Sequence, residues 1–394
     1  MPKFDFSQYN DSNYVQLWSN PDNGGTPFLQ LILDGPRFYK ANFGFWREKF
    51  KIDEDITPSH NGEALFTISE RKLEPAVMYS MRAPMAGTKP LERGGSAFYQ
   101  GSIPEFISEG YREDTLERKE KMEVIDRLGE RGDTQLVQSY IDNYLNLVRS
   151  GMDMTLSNMA AQMLSKGYID YQLGVGIMDK IIKADIPTQN FHTAGKVAWS
   201  DTTNCKLLDQ LRKFVQDAND QHGMDIQWQL EVKRKVFDEY ICQNAQVIEQ
   251  VRLAYATGNV LLPEMAQTTD EMVMKMWEGY KGIPKLVIID EKQNDALQGV
   301  VEGWAENTAV MRPIGYAGVV KHTANLDKFM YENFANTITE CVFATTEDSL
   351  LTIMNSRTPN GDFYEWQSKA MFQAVPVLDE FLYHHIINIA EADS

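Results

Sequence analysis

Cysteine is scarce in this chain of 394 residues, with Cys205, Cys242 and Cys341 as the only three. An odd number of widely spaced cysteines excludes a disulfide scaffold and a CxxC metal site, and it is typical of a reducing compartment. The first residues, MPKFDFSQYN, lack the basic and apolar segments of a secretory signal. No apolar run approaches the ~20 residues of a membrane span, so we expect a cytosolic protein that does not enter a membrane.

Basic residues are also in deficit, because 38 Lys and Arg stand against 56 Asp and Glu. The formal net charge is −18 and the isoelectric point is near 4.8. Affinity for phosphate comes mainly from Lys and Arg, so this balance excludes a protein that wraps nucleic acid with a basic surface. A hydrophobic content of 43% is normal for a globular protein, and the length allows two or three domains.

Motifs of catalysis are missing as well. None of the six histidines belongs to an HxxxH or HExxH zinc motif, and no GxSxG nucleophile motif occurs. The GxG at 174–176 lacks the third glycine of a dinucleotide site. The acidic clusters at 53–55 and 290–295 are typical of solvated loops rather than of cation sites. We therefore expect no catalytic residues, cofactor or metal, although carboxylates that meet only in space would leave no motif.

The most regular pattern lies in residues 134–166, where apolar side chains recur every three or four positions. This spacing predicts one amphipathic helix about 50 Å long rather than a strand. Gly151 interrupts the pattern and indicates a place where the helix could bend. The apolar residues of this stripe are Val137, Tyr140, Ile141, Tyr144, Leu145, Val148, Met152, Leu156, Met159, Met163 and Leu164.

Residues 1–53 are rich in aromatic side chains and are broken by turn-forming residues, which predicts an extended arm. Large apolar groups without a core of their own must be buried elsewhere, either against the rest of this chain or against a neighbouring subunit. We take Trp18, Phe43 and Trp46 as candidates for contacts with a neighbouring subunit.

Residues 64–105 have the pattern of a long β-hairpin, with strand-like segments at 64–69, 75–81 and 96–99. The tip between the last two segments is rich in glycine, proline and basic residues. Its basic side chains either pair with carboxylates of a neighbouring subunit or keep the tip soluble. The candidate contact residues in the tip are Lys89, Arg93, Gly94 and Gly95.

Residues 201–326 alternate between helical and strand patterns, which predicts a central αβ module. Residues 200–204 offer N-cap candidates for its first helix, and residues 290–307 have the composition of a polar connection. Further on, strand patterns at 365–377 and 381–390 flank a turn and predict a terminal β-hairpin. The elements expected in the module are helices at 207–219 (ending before Gly223), 236–251 and 270–280, and strands at 225–231, 285–290 and 309–313.

The order of these elements resembles that of the HK97-fold major capsid proteins of tailed phages, in particular the lambda-type (capsid protein E) family. The resemblance runs from about residue 60 to the end of the chain, and it depends on several segments occurring in the family's order. These segments are PAVMYSMRAPMAGTKPLERGGSAFYQGSIPEF (75–106), VAWSDTTNCKLLDQLRKFV (197–215), TAVMRPIGYAGVVKH (308–322) and WQSKAMFQAVPVLDEFLYHHIINIA (366–390).

The resemblance implies an α+β, HK97-like capsid fold with an extended β-hairpin loop and a long spine helix. It implies a structural protein, not an enzyme, that assembles as hexamers and pentamers into an icosahedral shell around double-stranded DNA, without sequence-specific DNA binding or a membrane. The domains implied are an N-terminal arm (1–53), the extended loop (54–108), a peripheral domain with the spine helix (109–200), an axial domain (201–326) and returning β-strands (327–394).

The resemblance also implies partners and a location. The chain begins directly with arm-like sequence, so we expect scaffolding by a separate protein, together with a portal, and a decoration protein could bind the shell. The subunit would be assembled in the host cytoplasm and would end up in the capsid of the virion. Two alternatives remain open from the sequence: a nanocompartment shell protein of the encapsulin type, and an acidic cytosolic α/β enzyme.

Overall fold

The chain forms two compact units, each assembled from three stretches of sequence. Unit 1 contains residues 1–66, 102–157 and 320–376, and unit 2 contains residues 67–101, 158–319 and 377–394. The computed structural model describes residues 44–53, 65–71, 96–103, 105–107, 111–113, 120, 123, 134–171, 180–255, 269–290, 293–295, 299–323, 341–345, 350–360 and 363–390.

Helices and strands are both well represented, as expected of an α+β protein. The helices are α1 (Phe45–Lys49), α2 (Thr134–Lys166), α3 (Leu207–His222), α4 (Arg234–Val236), α5 (Ala245–Tyr255) and α6 (Asp270–Gly279). The strands are β1 (Phe50–Ile52), β2 (Leu65–Arg71), β3 (Ser96–Ser102), β4 (Glu105–Ile107), β5 (Tyr111–Glu113), β6 (Tyr168–Tyr171), β7 (Lys180–Lys183), β8 (Phe191–Thr193), β9 (Trp228–Lys233), β10 (Lys285–Ile289), β11 (Gln293–Asp295), β12 (Gly299–Val301), β13 (Thr308–Pro313), β14 (Gly318–His322), β15 (Cys341–Thr345), β16 (Leu351–Asn360), β17 (Phe363–Leu378) and β18 (His385–Asn388).

Strand β17 is the centre of the large sheet, whose order is β1-β14-β17-β16-β15. It pairs with β16 in an antiparallel ladder from Leu351↔Phe372 to Asn360↔Phe363, and β4 and β5 pair along it as well. Every side chain from Ala370 to Leu378 is buried, so this part of the strand is covered on both faces. A strand buried on both faces reads as a continuous apolar run instead of an alternating one, which matches AMFQAVPVL.

The long helix is confirmed with the predicted bounds, Thr134–Lys166. The prediction of a single apolar stripe is wrong for its second half, because the side chains from Met159 to Ser165 are all buried, whichever side of the helix they occupy. The polar residues there are satisfied locally, so they tolerate burial. The Ser165 hydroxyl donates to the Ala161 carbonyl at 2.7 Å, and the Gln162 amide donates to Asn158 at 2.6 Å.

Unit 2 is built on a mixed five-stranded sheet of order β10-β9-β13-β18-β8. Strands β10 and β9 are parallel, β13 is antiparallel to both of its neighbours, and β18 is parallel to β8. Helices α3, α5 and α6 contribute Leu208, Val247 and Trp277 to the same buried core as Leu230 of β9 and Met311 of β13. The predicted αβ alternation is therefore confirmed for these elements.

Several details of the module differ from the sequence patterns. The helix predicted at 236–251 is interrupted, because a π-helical turn at Phe237–Ile241 separates α4 from α5. The connection predicted at 290–307 includes an antiparallel pair, β11 and β12. No residue of 200–204 caps α3; instead the Gln246 side chain accepts from the Leu208 amide at 2.8 Å. A cap supplied from 38 residues away leaves no signal beside the helix.

The prediction of a terminal β-hairpin is wrong. Strand β17 belongs to the large sheet, whereas β18 belongs to the five-stranded sheet and pairs with β13 and β8. Between them the chain forms a 3₁₀ turn, Phe381–Tyr383, instead of a tight hairpin turn. The Asn190 amide donates to the carbonyls of Leu382 (2.9 Å) and His384 (3.2 Å), and this draws the segment toward β8.

Strands β2 and β3 pair with each other, as the base of the predicted long hairpin requires, and the hairpin itself stays a prediction. Its expected tip and the segment at 75–81 lie outside the described residues. Within the described part of the chain, no helix is both long and apolar enough to cross a bilayer.

Two glycines give opposite predictions for alanine substitution. A Cβ at Gly318 would lie 2.0 Å from the Val377 carbonyl oxygen, a backbone atom that cannot rotate away, whereas a Cβ at Gly151 would meet nothing within 4 Å. We expect Gly318→Ala to lower the free energy of unfolding by at least about 1–3 kcal/mol through overpacking. Gly151→Ala should raise it by up to about 1 kcal/mol, because alanine is the better helix former.

Urea denaturation of the two variants beside the parent chain checks this. Equal effects of the two substitutions would show that close packing at Gly318 does not limit stability.

Candidate assembly site

A buried ion pair lies in the middle of the five-stranded sheet. The Arg312 guanidinium of β13 donates to Glu231 of β9 at 2.9 Å, and both side chains are at most 2% exposed. The register pairs Val310 with Glu231, so the two charged residues are diagonal neighbours on adjacent strands. The Gln229 amide donates to the same carboxylate at 2.9 Å. A buried charge pair is tolerated only when such additional hydrogen bonds are present.

The same guanidinium also fixes the turn that follows β13. It donates to the Gly315 carbonyl at 2.8 Å and to the Pro313 carbonyl at 3.3 Å. The Ile314 amide donates to the Gln227 carbonyl at 3.0 Å. Gly315 has a φ of 139°, a backbone conformation that favours glycine. The turn is therefore held from both sides by hydrogen bonds.

This turn presents two large apolar side chains to solvent, because Ile314 is 47% exposed and Tyr316 is 46% exposed. An apolar group on a turn that is held in place can be buried by a partner with little further loss of conformational entropy. We call residues 313–317 the apolar turn. It is a candidate contact surface that no motif in the sequence had indicated.

A pocket of about 500 Å³ lies beside the apolar turn. Its wall is mainly apolar, and none of its lining residues is a serine, threonine, cysteine or histidine that could act as a nucleophile or base at neutral pH. The lining residues are Val215, Asp225, Ile226, Gln227, Trp228, Met274, Trp277, Glu278, Tyr280, Gly282, Ile283, Pro284, Lys285, Leu286 and Ile314.

Three histidines meet between α3 and the edge of the five-stranded sheet. A ring nitrogen of His192 lies 3.0 Å from one of His385, and the His222 ring is 5.7 Å from the His385 ring. Burial, with the nearby His192 and His222, lowers the pKa of His385 to about 2. Since His385 stays neutral, the cluster contributes packing against Trp228 and Tyr383. Within the described residues, no group of three His, Cys, Asp or Glu side chains could hold a metal ion.

The two cysteines whose side chains are described are unsuited to nucleophilic chemistry. Burial raises the pKa of Cys205 to about 11 and that of Cys242 to about 12. The reactive form of cysteine is the thiolate, so both side chains remain as inert thiols at neutral pH.

The predicted contact residues fall mostly outside the described part of the chain. That is the case for Lys89, Arg93, Gly94, Gly95, Trp18 and Phe43.

Trp46 is the exception, and the structure buries it completely within unit 1. Its indole donates to Asp153 at 3.1 Å, and the Arg47 guanidinium lies 4.3 Å from the centre of its ring. This side chain is therefore covered by its own chain, which leaves no exposed part of it for a neighbouring subunit. The sequence had predicted an extended arm here, whereas residues 45–49 form a short helix, α1.

The end of the predicted arm is tied into unit 1 by polar contacts. Strand β1 pairs with β14, and the Asp53 amide donates to the Val320 carbonyl at 3.1 Å. The Asp53 carboxylate forms an ion pair with Lys321. A ring nitrogen of His322 lies 2.7 Å from the Asp53 carbonyl oxygen. Residues 44–53 are thus an integral part of the unit.

Comparison with known proteins identifies the fold. No family model matches the chain, and no curated protein matches it either. A solved structure described as the capsid protein of a prophage of E. coli CFT073 overlaps with a TM-score of 0.50 at 13% identity, covering 92% of this chain and 98% of that one. The chain therefore has the HK97-like fold of phage capsid proteins, as the sequence predicted. The narrower lambda-type assignment stays a prediction.

Two other solved structures overlap over similar lengths. A phage-related protein from Bordetella bronchiseptica RB50 has a TM-score of 0.46 at 14% identity, with 93% of this chain and 97% of that one covered. The capsid of the cyanophage P-SCSP1u has a TM-score of 0.42 at 9% identity, with 98% and 99% covered.

The contribution of the Arg312–Glu231 ion pair to stability can be tested by substitution. Arg312→Met leaves Glu231 buried without its cation, so we expect a loss of about 3–5 kcal/mol in the free energy of unfolding. The double variant Glu231→Gln/Arg312→Met buries no charge and should be more stable than Arg312→Met alone. Urea denaturation measures both, and a double variant no more stable than the single one would show that charge burial is not the cause.

Proposed function

We propose that this chain is the major capsid protein of a tailed phage and that it builds the icosahedral head shell from copies of itself. The observation that carries the proposal is the likeness to a prophage capsid protein, which extends over nearly the whole of both chains. A match confined to one sheet would be compatible with many functions. A match over 92% of one chain and 98% of the other includes residues of both units.

The charge balance supports a container for DNA in place of a DNA-binding protein. A net charge of −18 disfavours tight binding to phosphates, so a genome could be packed inside without adhering to the wall. The shell would enclose double-stranded DNA without reading its sequence. Its subunits would be assembled in the host cytoplasm with a separate scaffolding protein and a portal, and a decoration protein could bind the finished head.

Closed shells are built from repeated heterologous contacts around symmetry axes, here hexamers and pentamers. Each such contact buries apolar area at about 25 cal/mol per Å², minus the cost of ordering the groups involved. The apolar turn suits this role because Ile314 and Tyr316 are already fixed in an exposed position. Lys89, Arg93, Gly94 and Gly95 on the predicted hairpin tip, and Trp18 and Phe43 of the arm, remain proposed contacts to neighbours.

The proposal is tested by expressing the chain with and without the products of its neighbouring genes and examining the particles by negative-stain electron microscopy. We expect closed or partly closed shells of uniform curvature. Nuclease-protected DNA inside them, in infected or induced cells, would support a phage head. A protein cargo without DNA would favour a nanocompartment, and a chain that stays monomeric with all of these partners would contradict the proposal.

The apolar turn gives a second test. Ile314→Ser/Tyr316→Ser should reduce the yield of assembled particles by at least about tenfold, since loss of a buried contact of roughly 1.4 kcal/mol changes an equilibrium tenfold. Its urea midpoint should stay near that of the parent chain, because both side chains are exposed.

Leu253→Ser is the matched control, since Leu253 is 57% exposed on α5 and lies away from the turn in sequence. Equal losses of particles in the two variants would show that the apolar turn has no special role in assembly.

A further inference from the structure

Both strands of the β2–β3 hairpin hold the short turn that leads into β18. From β2, a carboxylate oxygen of Glu70 accepts from the Leu382 amide at 2.7 Å. From β3, the Tyr99 hydroxyl donates to the Leu378 carbonyl at 2.6 Å. The Tyr99 ring also packs edge-on against Phe381, with ring centres 5.2 Å apart. The base of the hairpin is therefore attached to residues 378–382 by one contact from each strand.

The surroundings of Glu70 are unusual because they are acidic. Asp379 and Glu380 both lie in the 378–382 segment that the hairpin contacts. Their negative charges disfavour ionisation of the Glu70 carboxyl group. Tyr99 is the other titratable group at this contact. Arg312 is a basic group whose charge acts on Glu380, and it is itself paired with Glu231. The half-buried Glu70 carboxyl group therefore feels the charges of two further carboxyl groups, on Asp379 and on the exposed Glu380.

We propose that this contact is a proton-dependent latch, in which protonated Glu70 holds the hairpin base on residues 378–382 and loss of that proton releases it. The proposal concerns contacts within unit 2 and does not rest on shell assembly. The two hydrogen bonds have different roles in this proposal. The bond accepted by Glu70 involves a group that titrates, whereas the bond donated by Tyr99 does not.

The electrostatics agree with this geometry. Burial, with Glu380 and Asp379 nearby, raises the pKa of Glu70 to about 8, although the hydrogen bond from the Leu382 amide acts in the opposite direction and favours the ionised form. Burial and the charge of Asp379 also raise the pKa of Tyr99. The tyrosine hydroxyl therefore stays a donor throughout the physiological range, and Glu70 is the group that changes charge within it.

The direction of the pH effect follows from proton linkage. A glutamate released to water titrates near pH 4.3, whereas Glu70 in the closed latch keeps its proton up to about pH 8. Opening therefore releases a proton between these values, and the opening equilibrium rises by up to about tenfold per pH unit across that window. Below the window the closed form has its full stability, and above it the effect levels off. Acid tightens the latch, and alkali loosens it.

Hydrogen exchange read by mass spectrometry tests the latch in the full-length chain, in peptides that cover 96–102 and 378–384. Protection factors, which already correct for the pH dependence of the chemical exchange step, are compared from about pH 5 to pH 8. We expect parent protection to fall at least about tenfold across this range. Glu70→Gln mimics the protonated side chain, so its protection should not change with pH.

Two further variants separate the titrating bond from the fixed one. Tyr99→Phe removes the tyrosine bond and should lower protection equally at every pH, with the parent's slope retained. Glu380→Gln removes one neighbouring charge and should shift the midpoint to lower pH, because the pKa of Glu70 would fall. Glu239→Gln, at an exposed glutamate of the π-helical turn, serves as the control and should behave as the parent chain.

Protection that does not depend on pH in the parent chain would overturn the proposal. The same conclusion would follow if Glu70→Gln kept the parent's slope, because another group would then be titrating. Should Glu70→Gln fail to fold, an unchanged midpoint in Glu380→Gln would count against the latch by itself.

Discussion

The ion pair between Arg312 and Glu231 is the interaction on which the five-stranded sheet and its exposed turn both depend. Moving two charges out of water costs several kcal/mol per ion, and only close pairing with further hydrogen bonds offsets that cost. Here Gln229 donates to the same carboxylate oxygen as Arg312, and the carbonyls of Pro313 and Gly315 accept from the guanidinium. A buried charge that can make these bonds in one arrangement stabilises that arrangement. The sheet interior and the apolar turn are therefore set by the same side chain.

Buried hydrogen bonds also connect parts of each unit that are distant in sequence. Each unit is assembled from three stretches of chain, so local hydrogen bonds cannot define it alone. In unit 1, Asp153 of the long helix accepts from the buried Trp46. In unit 2, His384 lies 2.7 Å from the Leu164 carbonyl near the end of the same helix, and burial lowers the pKa of this histidine to about 4. Neutral, buried and bonded, it links the helix end to the last strand.

Local patterns predicted what local physics decides. The spacing of apolar residues predicted the bounds of the 134–166 helix, and the helix expected at 270–280 is α6, whose N-cap residue Thr269 accepts from the Met272 amide. The prediction of a terminal hairpin failed because the residues of β8 that pair with β18 lie 195 residues away in sequence, and no short-range pattern encodes such a pairing. The sequence patterns did not predict the apolar turn as a contact site for the same reason. Arg312 and Glu231 are 81 residues apart, and a lone charge inside each buried strand was the available signal.

The position of β17 in its sheet has a consequence for the order of folding during synthesis. This strand is the central one, yet it occupies residues 363–378 and leaves the ribosome after every strand that pairs with it. Non-local pairing cannot begin before its later partner exists. The large sheet of unit 1 thus stays incomplete until β17 has been synthesised, while the αβ core of unit 2 already has α3, α5, α6 and β9, β10 and β13. A nascent chain that stops before β17 would therefore lack the central strand of the large sheet, so unit 1 could not yet present its finished surface.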